Sequence, residues 1–347
     1  MVTVPDLLIG ARDTGSRGLM RLPRRVLATL AGSPVVVDGK RLDVEMQLLL
    51  KLQGLAGPSV EDVPVTKGRK IVAEQSQLVG GSPVVGAVTE RTVPGPGGRL
   101  PVRFYTPRGL RGTSAALVFY HGGGWIYGSL DTHDALCRTL AEQAQVRVVS
   151  VDYRLAPEAP FPAATDDAWA AWTWVRDHAV GLGIDPSRIA VGGDSAGGNL
   201  AAGVAQRAAR EDGQAPAFQL LIYPATDFAE RAPSRERFGT GFFLTTGFMD
   251  LAEENYLLGD EDRSDPRLSP LHGDVSGVAP AFVVTAGFDP LLDEGLAYAE
   301  LMRSAGVTVE YLCEEGLIHG YANMVSFGRS APAAVARISR ALQRGLS

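Results

Sequence analysis

The chain is poor in cysteine. Cys137 and Cys313 are the only two in 347 residues, too few for a disulfide framework, and a reduced compartment is the simpler expectation. No uninterrupted apolar run reaches the length of a bilayer span, which argues against stable membrane insertion. Met1 to Ile9 show neither a basic start nor a continuous apolar core, so no secretory signal is expected. Positive charge is not in excess: the formal net charge is −6, and nothing favours nucleic acid as a partner. There is no His-Glu-x-x-His and no cluster of Cys and His to hold a metal. There is no Gly-x-x-x-x-Gly-Lys to cradle phosphate, no internal repeat and no low-complexity tract. These absences leave a soluble, cytoplasmic enzyme with no metal and no cofactor as the expectation.

What is present is an ordinary globular composition, 45% hydrophobic, with enough apolar residues for a sizeable core. Residues 1–92 read as a helical first region. Pro23 opens a short helix with Val26, Leu27 and Leu30 on one side, made basic by Arg17, Arg21, Arg24 and Arg25. This reads as the solvated face of a packed helix, with a membrane-surface helix as the alternative. Leu42, Met46, Leu49 and Leu50 recur at helical spacing behind Asp43 and Glu45. Pro58 and Pro64 break that pattern.

From about Leu100 buried strands alternate with helices. Leu100, Val102 and Phe104 mark a strand, as do Ala115–Tyr120, Val146–Val151, Arg188–Gly192 and Ala217–Tyr223. Helices are expected at Asp134–Gln145, 163–180 and from Asn199 to about Arg210. This succession implies an α/β fold with a largely parallel sheet covered on both faces. The alternation stops over 224–278, a long stretch with Pro, charge and scattered aromatics that reads as a lid or binding insertion. It resumes with a strand to Phe288, a helix Leu291–Ser304, a strand Val307–Cys313 and a last helix, Ser330 to about Arg344. The expected division is therefore 1–92 as N-terminal cap helices and linker, 93–223 and 279–347 as the two parts of the core, and 224–278 as a cap insertion.

Four stretches carry chemistry. Gly193-Asp194-Ser195-Ala196-Gly197 stands between a strand and a helix, the context of a nucleophile elbow. Its turn is so sharp that Gly193 and Gly197 must be small. By itself the pattern is weak, since 19 serines and 41 glycines would produce about 0.3 matches by chance. His121-Gly122-Gly123-Gly124-Trp125 follows another strand. Consecutive glycines free several N–H groups to point at one place, as a negative tetrahedral oxygen requires. Gly123 and Gly124, with the N–H of Ala196, are the expected oxyanion hole; His121 and Gly122 belong to the loop, and Trp125 to the acyl pocket. A serine nucleophile also needs a base and a carboxylate, in the order Ser, acid, His on this fold. His319 follows the last strand, whereas His272 sits in the insertion near Pro270. Asp289 follows the strand ending at Phe288 and is the preferred acid, although it also suits a helix N-cap; Asp293 and Glu294 compete one turn later. Asp194 is expected to orient nearby loops, and Arg154 and Glu158 to pair in a buried ion pair. Trp169, Trp172 and Trp174 are expected to serve packing and surface on one helix, and both cysteines to be core residues.

Together, His121–Trp125, Gly193–Gly198, Asp289-Pro290-Leu291-Leu292-Asp293-Glu294, His319-Gly320-Tyr321 and the block Tyr153–Glu158 resemble the hormone-sensitive-lipase family, or bacterial family IV, of α/β-hydrolase esterases. The resemblance runs from about Val93 to the C-terminus. It implies an eight-stranded, mostly parallel sheet and a helical cap made of the N-terminal helices and the insertion after Tyr223. It implies carboxylesterase activity on short- to medium-chain esters, with Ser195, Asp289 and His319 as the catalytic groups, and a homodimer through the last strand and helix. The region before the glycine loop is longer than is usual there. The same groups would serve an amidase or deacetylase acting on a natural product. Some plant hormone receptors resemble these esterases but lack the catalytic His, which makes a non-catalytic ligand-binding protein the remaining rival.

Overall fold

A computed structural model describes residues 15–54, 59–211 and 215–347 of the chain, with side chains from Gly18 onward. Met1–Ile9, Pro58 and the side chain of Arg17, to which expectations above refer, lie outside these. The runs expected to be buried strands assemble into one eight-stranded sheet, in the order β10-β9-β8-β7-β5-β6-β4-β3. The strands are β3 (Ala87–Gly95), β4 (Gly98–Thr106), β5 (Ser114–Tyr120), β6 (Arg147–Val151), β7 (Ile184–Asp194), β8 (Phe218–Ile222), β9 (Ala281–Phe288) and β10 (Val309–Ile318). β4 is antiparallel to both of its neighbours, and all other pairings are parallel. A two-stranded ribbon, β1 (Val36–Val37) with β2 (Lys40–Arg41), stands apart.

The central strands are largely apolar because both faces of the sheet are covered. Every residue of β5, β8 and β9 is buried. Side chains alternate between two cores: Ala116, Val118 and Tyr120 of β5 enter one, and Ala115, Leu117 and Phe119 the other. The first core is closed by α6 (Ala163–Asp177), α7 (Ala196–Glu211) and α10 (Leu292–Ser304). The second is closed by α2 (Arg24–Ala31), α3 (Val44–Gln53), α5 (Asp134–Ala144) and α11 (Ser330–Gly345), with Leu27, Met46, Leu140 and Ile338 among its members. Helix α1 (Gly15–Met20) precedes α2.

The insertion 224–278 holds α8 (Pro233–Phe238) and α9 (Thr246–Tyr256) and no strand. The sheet begins at Ala87, ahead of the expected start at 93, and β10 runs to Ile318 rather than ending at Cys313. Helix α4 (Val65–Gly80) was not foreseen, because its apolar positions lack a clean period and only Gly68 and Gly80 are buried along it. Gly68 lies where any side chain would collide with the Tyr127 hydroxyl, so a residue that disfavours helices is kept for close approach.

Candidate active site

Four loops that leave the carboxyl ends of parallel strands converge. Ser195 follows β7, the glycine run follows β5, Asp289 follows β9 and His319 follows β10. A parallel sheet aligns these ends on one edge, so groups nearly 200 residues apart become neighbours. Ser195 has φ +56°, a left-handed conformation that bulky residues disfavour and that a sharp elbow imposes. A Cβ on Gly197 would collide with the Tyr120 carbonyl, and one on Gly193 with the Gly197 backbone. The two glycines are thus required by backbone approach.

His319 Nε2 lies 2.9 Å from Ser195 Oγ, and His319 Nδ1 lies 2.8 Å from Asp289 Oδ2. Asp289 is fully buried and His319 nearly so. The other Asp289 oxygen accepts the Leu291 N–H at 2.9 Å, so this carboxylate both starts the helical turn and faces the imidazole. The competitors are elsewhere: Asp293 accepts the Ser234 N–H at 2.8 Å, Glu294 accepts the Thr226 N–H at 2.7 Å, and His272 pairs with Asp227 at 3.0 Å. Asp293 and Glu294 tie the inserted segment to α10. Burial pushes the Glu294 carboxyl up to about 8, which keeps it largely protonated near neutrality.

The glycine loop is bent by positive φ at Gly123 (+120°), Gly124 (+61°) and Trp125 (+59°). Among the described residues the amides of Gly123 and Gly124 meet no protein acceptor, and neither does that of Ala196 at the start of α7. A first-turn amide is expected to be free. Gly122 N–H instead donates to Asp194 Oδ1 at 2.9 Å, which joins the loop to the elbow. Asp194 Oδ2 also accepts from His133 Nε2 at 3.3 Å and from Asn323 Nδ2 at 3.2 Å. Burial acts to raise this carboxyl, but the His133 imidazole and the Gly122 amide outweigh burial and hold it below its usual value. His121 is stacked on Tyr153 at 4.2 Å; burial, with His133 nearby, lowers it to about 3 and leaves it neutral. Neither His133 nor Asn323 carries a motif that sequence alone could single out.

Above the loop lies α9: a Cβ on Gly124 would come within 2.9 Å of Ala252 and 3.2 Å of Phe248. Trp125 is buried, stacked on Tyr256 of α9 at 4.8 Å and 5.1 Å from Phe228. The pairing expected between Arg154 and Glu158 is corrected. Arg154 binds Asp167 of α6 through two bonds of 2.8 and 2.9 Å, and the largely exposed Glu158 is taken by Arg69 of α4. Both true partners come from helices outside the local block. Cys137 is buried, as expected, while Cys313 is only partly covered. Trp172 is buried, with Trp169 and Trp174 partly so. Among the described residues no group of His, Cys, Asp and Glu has the arrangement of a metal site, and no helix is long and apolar enough to cross a membrane.

A hydroxyl, an imidazole and a buried carboxylate in series, beside unengaged amides, can move a proton from oxygen to nitrogen while an adjacent anion is held. Known proteins carry the same frame. Residues 117–323 match a family described as alpha/beta hydrolase fold. The carboxylic ester hydrolase LipN of Mycobacterium tuberculosis is 44% identical over 93% of this chain and 88% of its own length. The ethyl acetate hydrolase of Pseudomonas putida is 45% identical over 72% of this chain and 80% of its own. The solved ester-hydrolase EH1AB1 from the metagenome of Lake Arreo superposes with a TM-score of 0.84 at 42% identity, covering 87% of this chain and 98% of that one. From sheet order, elbow and these likenesses together, the chain belongs to the α/β-hydrolase family, in its hormone-sensitive-lipase branch.

Proposed function

We propose that the protein is a serine carboxylesterase that hydrolyses short- to medium-chain esters through an acyl-enzyme. Ser195 attacks the ester carbonyl as His319 Nε2 takes its proton, and Asp289 holds the ring and stabilises the imidazolium. The N–H groups of Gly123, Gly124 and Ala196 receive the oxyanion. His319 returns the proton to the leaving alcohol, and water then cleaves the acyl-enzyme by the same route. One observation carries the reading: the chain of hydrogen bonds from Ser195 through His319 to Asp289 at a strand-to-helix elbow.

The rest of the proposal follows from that site. The N-terminal region from residue 59 up to the strand that begins at Ala87, with the insertion 224–278, forms the cap, with Trp125 on the acyl side beneath it; α2 and α3, which close the second core, lie outside it. The substrate is a small-molecule ester; nucleic acid has no part in the reaction. A cytoplasmic setting fits the two unpaired cysteines. A homodimer through β10, an outer strand of the sheet, fits the same reading.

The test is hydrolysis of p-nitrophenyl esters from acetate to palmitate by wild type beside Ser195→Ala. Turnover peaking at short chains and lowered by about 10⁴-fold or more in a variant that melts normally is expected. Equal turnover in the variant would remove Ser195 from the reaction.

A further inference from the structure

Nine large apolar side chains are exposed among the described residues, and four of them, Leu22, Val26, Leu30 and Val36, fall within fifteen residues. Val26 and Leu30 stand one turn apart on the outer face of α2, while Leu27 and Ala31 are buried behind them. Leu22 is exposed two residues before α2 begins. The stripe is firmly backed: Lys51 Nζ of α3 donates to the Leu30 carbonyl at 2.8 Å, and Gln47 Nε2 to that of Ser33 at 2.7 Å. Its exposure therefore belongs to a docked helix.

The charge around it is one-sided. Residues 21–41 hold Arg21, Arg24, Arg25, Lys40 and Arg41 against Asp38, a net +4 in a chain of net −6. Arg24 is matched by Asp43 at 2.9 Å, and Asp38 is taken by Arg237 at 3.1 Å. Arg21, Arg25 and Arg41 pair with no carboxylate among the described residues. Arg25 and Arg41 share a groove of about 380 Å³ with Arg24, Ala28 and Asp43. An apolar outer face flanked by guanidinium groups that no described carboxylate matches is the pattern of a helix that lies in a lipid interface.

We propose that α2, with the β1–β2 ribbon beside it, docks on an anionic lipid bilayer. Leu22, Val26, Leu30 and Val36 enter the headgroup region, and Arg21, Arg25 and Arg41 face the lipid phosphates. Charge favours this occupant over a second copy, because a two-fold contact would bring two surfaces of like sign together. The apolar stripe distinguishes it from a site for a free anion, which would leave Val26 and Leu30 in water. The inference does not depend on the esterase reading.

Sedimentation of the full chain with phosphatidylglycerol–phosphatidylcholine vesicles tests it, against phosphatidylcholine alone. Binding to the anionic vesicles should be about tenfold tighter or more, and should weaken as salt rises to about 0.5 M. Arg25→Glu with Arg41→Glu should abolish the anionic preference, and Val26→Ser with Leu30→Ser should weaken binding about tenfold. Both double variants should keep the wild-type melting temperature and ester turnover, which separates lost docking from lost fold. Equal binding to neutral and anionic vesicles would overturn the proposal, as would full binding by both variants. Displacement by inorganic phosphate at constant ionic strength would overturn it in favour of a free-anion site. A dimer in solution that Val26→Ser with Leu30→Ser dissociates would assign the stripe to a second copy.

Discussion

The carboxyl edge of the sheet and the segments proposed as its cap are held by different kinds of contact. At the edge, position follows from the backbone. Strand pairing sets Ser195, Asp289 and His319 side by side, and the elbow tolerates no side chain at Gly193 or Gly197. Above it, position follows from side-chain contacts, apolar ones such as Tyr256 on Trp125 and polar ones between segments far apart in the chain. Thr245, the N-cap of α9, donates to Glu61 Oε2 and accepts the Phe248 N–H at 3.0 Å. Arg235 of α8 reaches Glu253 of α9 at 2.8 Å. Arg69 of α4 ties the Ile126 carbonyl at 2.8 Å to the Glu158 carboxylate. The edge is built for one geometry. The cap is built of side-chain contacts that can be changed singly, so substrate range can vary over a constant reaction centre.

The largest effect that sharpens this contrast is Asp289→Asn set against Asp293→Ala, two neighbours in one motif. Asp289→Asn should lower kcat about 10⁴-fold with little change in melting, because an amide presents the wrong hydrogen-bond partner to His319. Asp293→Ala leaves the Ser234 amide without its acceptor, and should cost about 1–3 kcal/mol in chemical denaturation while kcat on acetate stays within about threefold of wild type. A large loss of kcat in Asp293→Ala would break the division between edge and cap.

The next effect is a pH dependence of stability from Glu294. Its folded value, raised by burial to about 8 from 4.5, means that the folded state keeps a proton which the unfolded chain releases. Its contribution is fully present below about 4.5 and is lost as pH rises toward 8. Glu294→Gln should flatten that part of a denaturation-versus-pH curve. An unchanged slope in the variant would show that this carboxyl does not hold its proton.

The smallest is Thr245→Ala. Loss of the α9 cap should lower stability by about 1 kcal/mol and shift KM and chain-length preference more than kcat on acetate, since α9 carries Phe248 and Ala252 over Gly124. Equal proportional changes on every ester would argue that α9 does not bound the acyl site.

The site was more legible in the sequence than its supports. Gly193–Gly197, His121–Gly124, Asp289 and His319 are each local patterns whose residue types follow from a turn or a charge, and each sits beside an apolar run that reads as a strand. Arg154 shows where local reading failed: Glu158, four residues on, was the obvious partner, but the bond goes to Asp167, which α6 turns beneath the loop. Helix α4 was missed for a related reason. Its residues are chosen for what they touch, as with Gly68 against Tyr127 and Arg69 against Glu158, and not for a periodic apolar face.

By itself the sequence determined the alternation of strand and helix, the elbow and the glycine loop, because backbone conformation and burial on both faces leave a signature within a few residues. Only the tertiary structure decided that Arg154 pairs with Asp167, that Asp194 is gripped by His133 and Asn323, and that Glu61 meets Thr245. Those contacts join residues separated by as many as 184 positions, and no local preference encodes which distant carboxylate a guanidinium or a hydroxyl will meet.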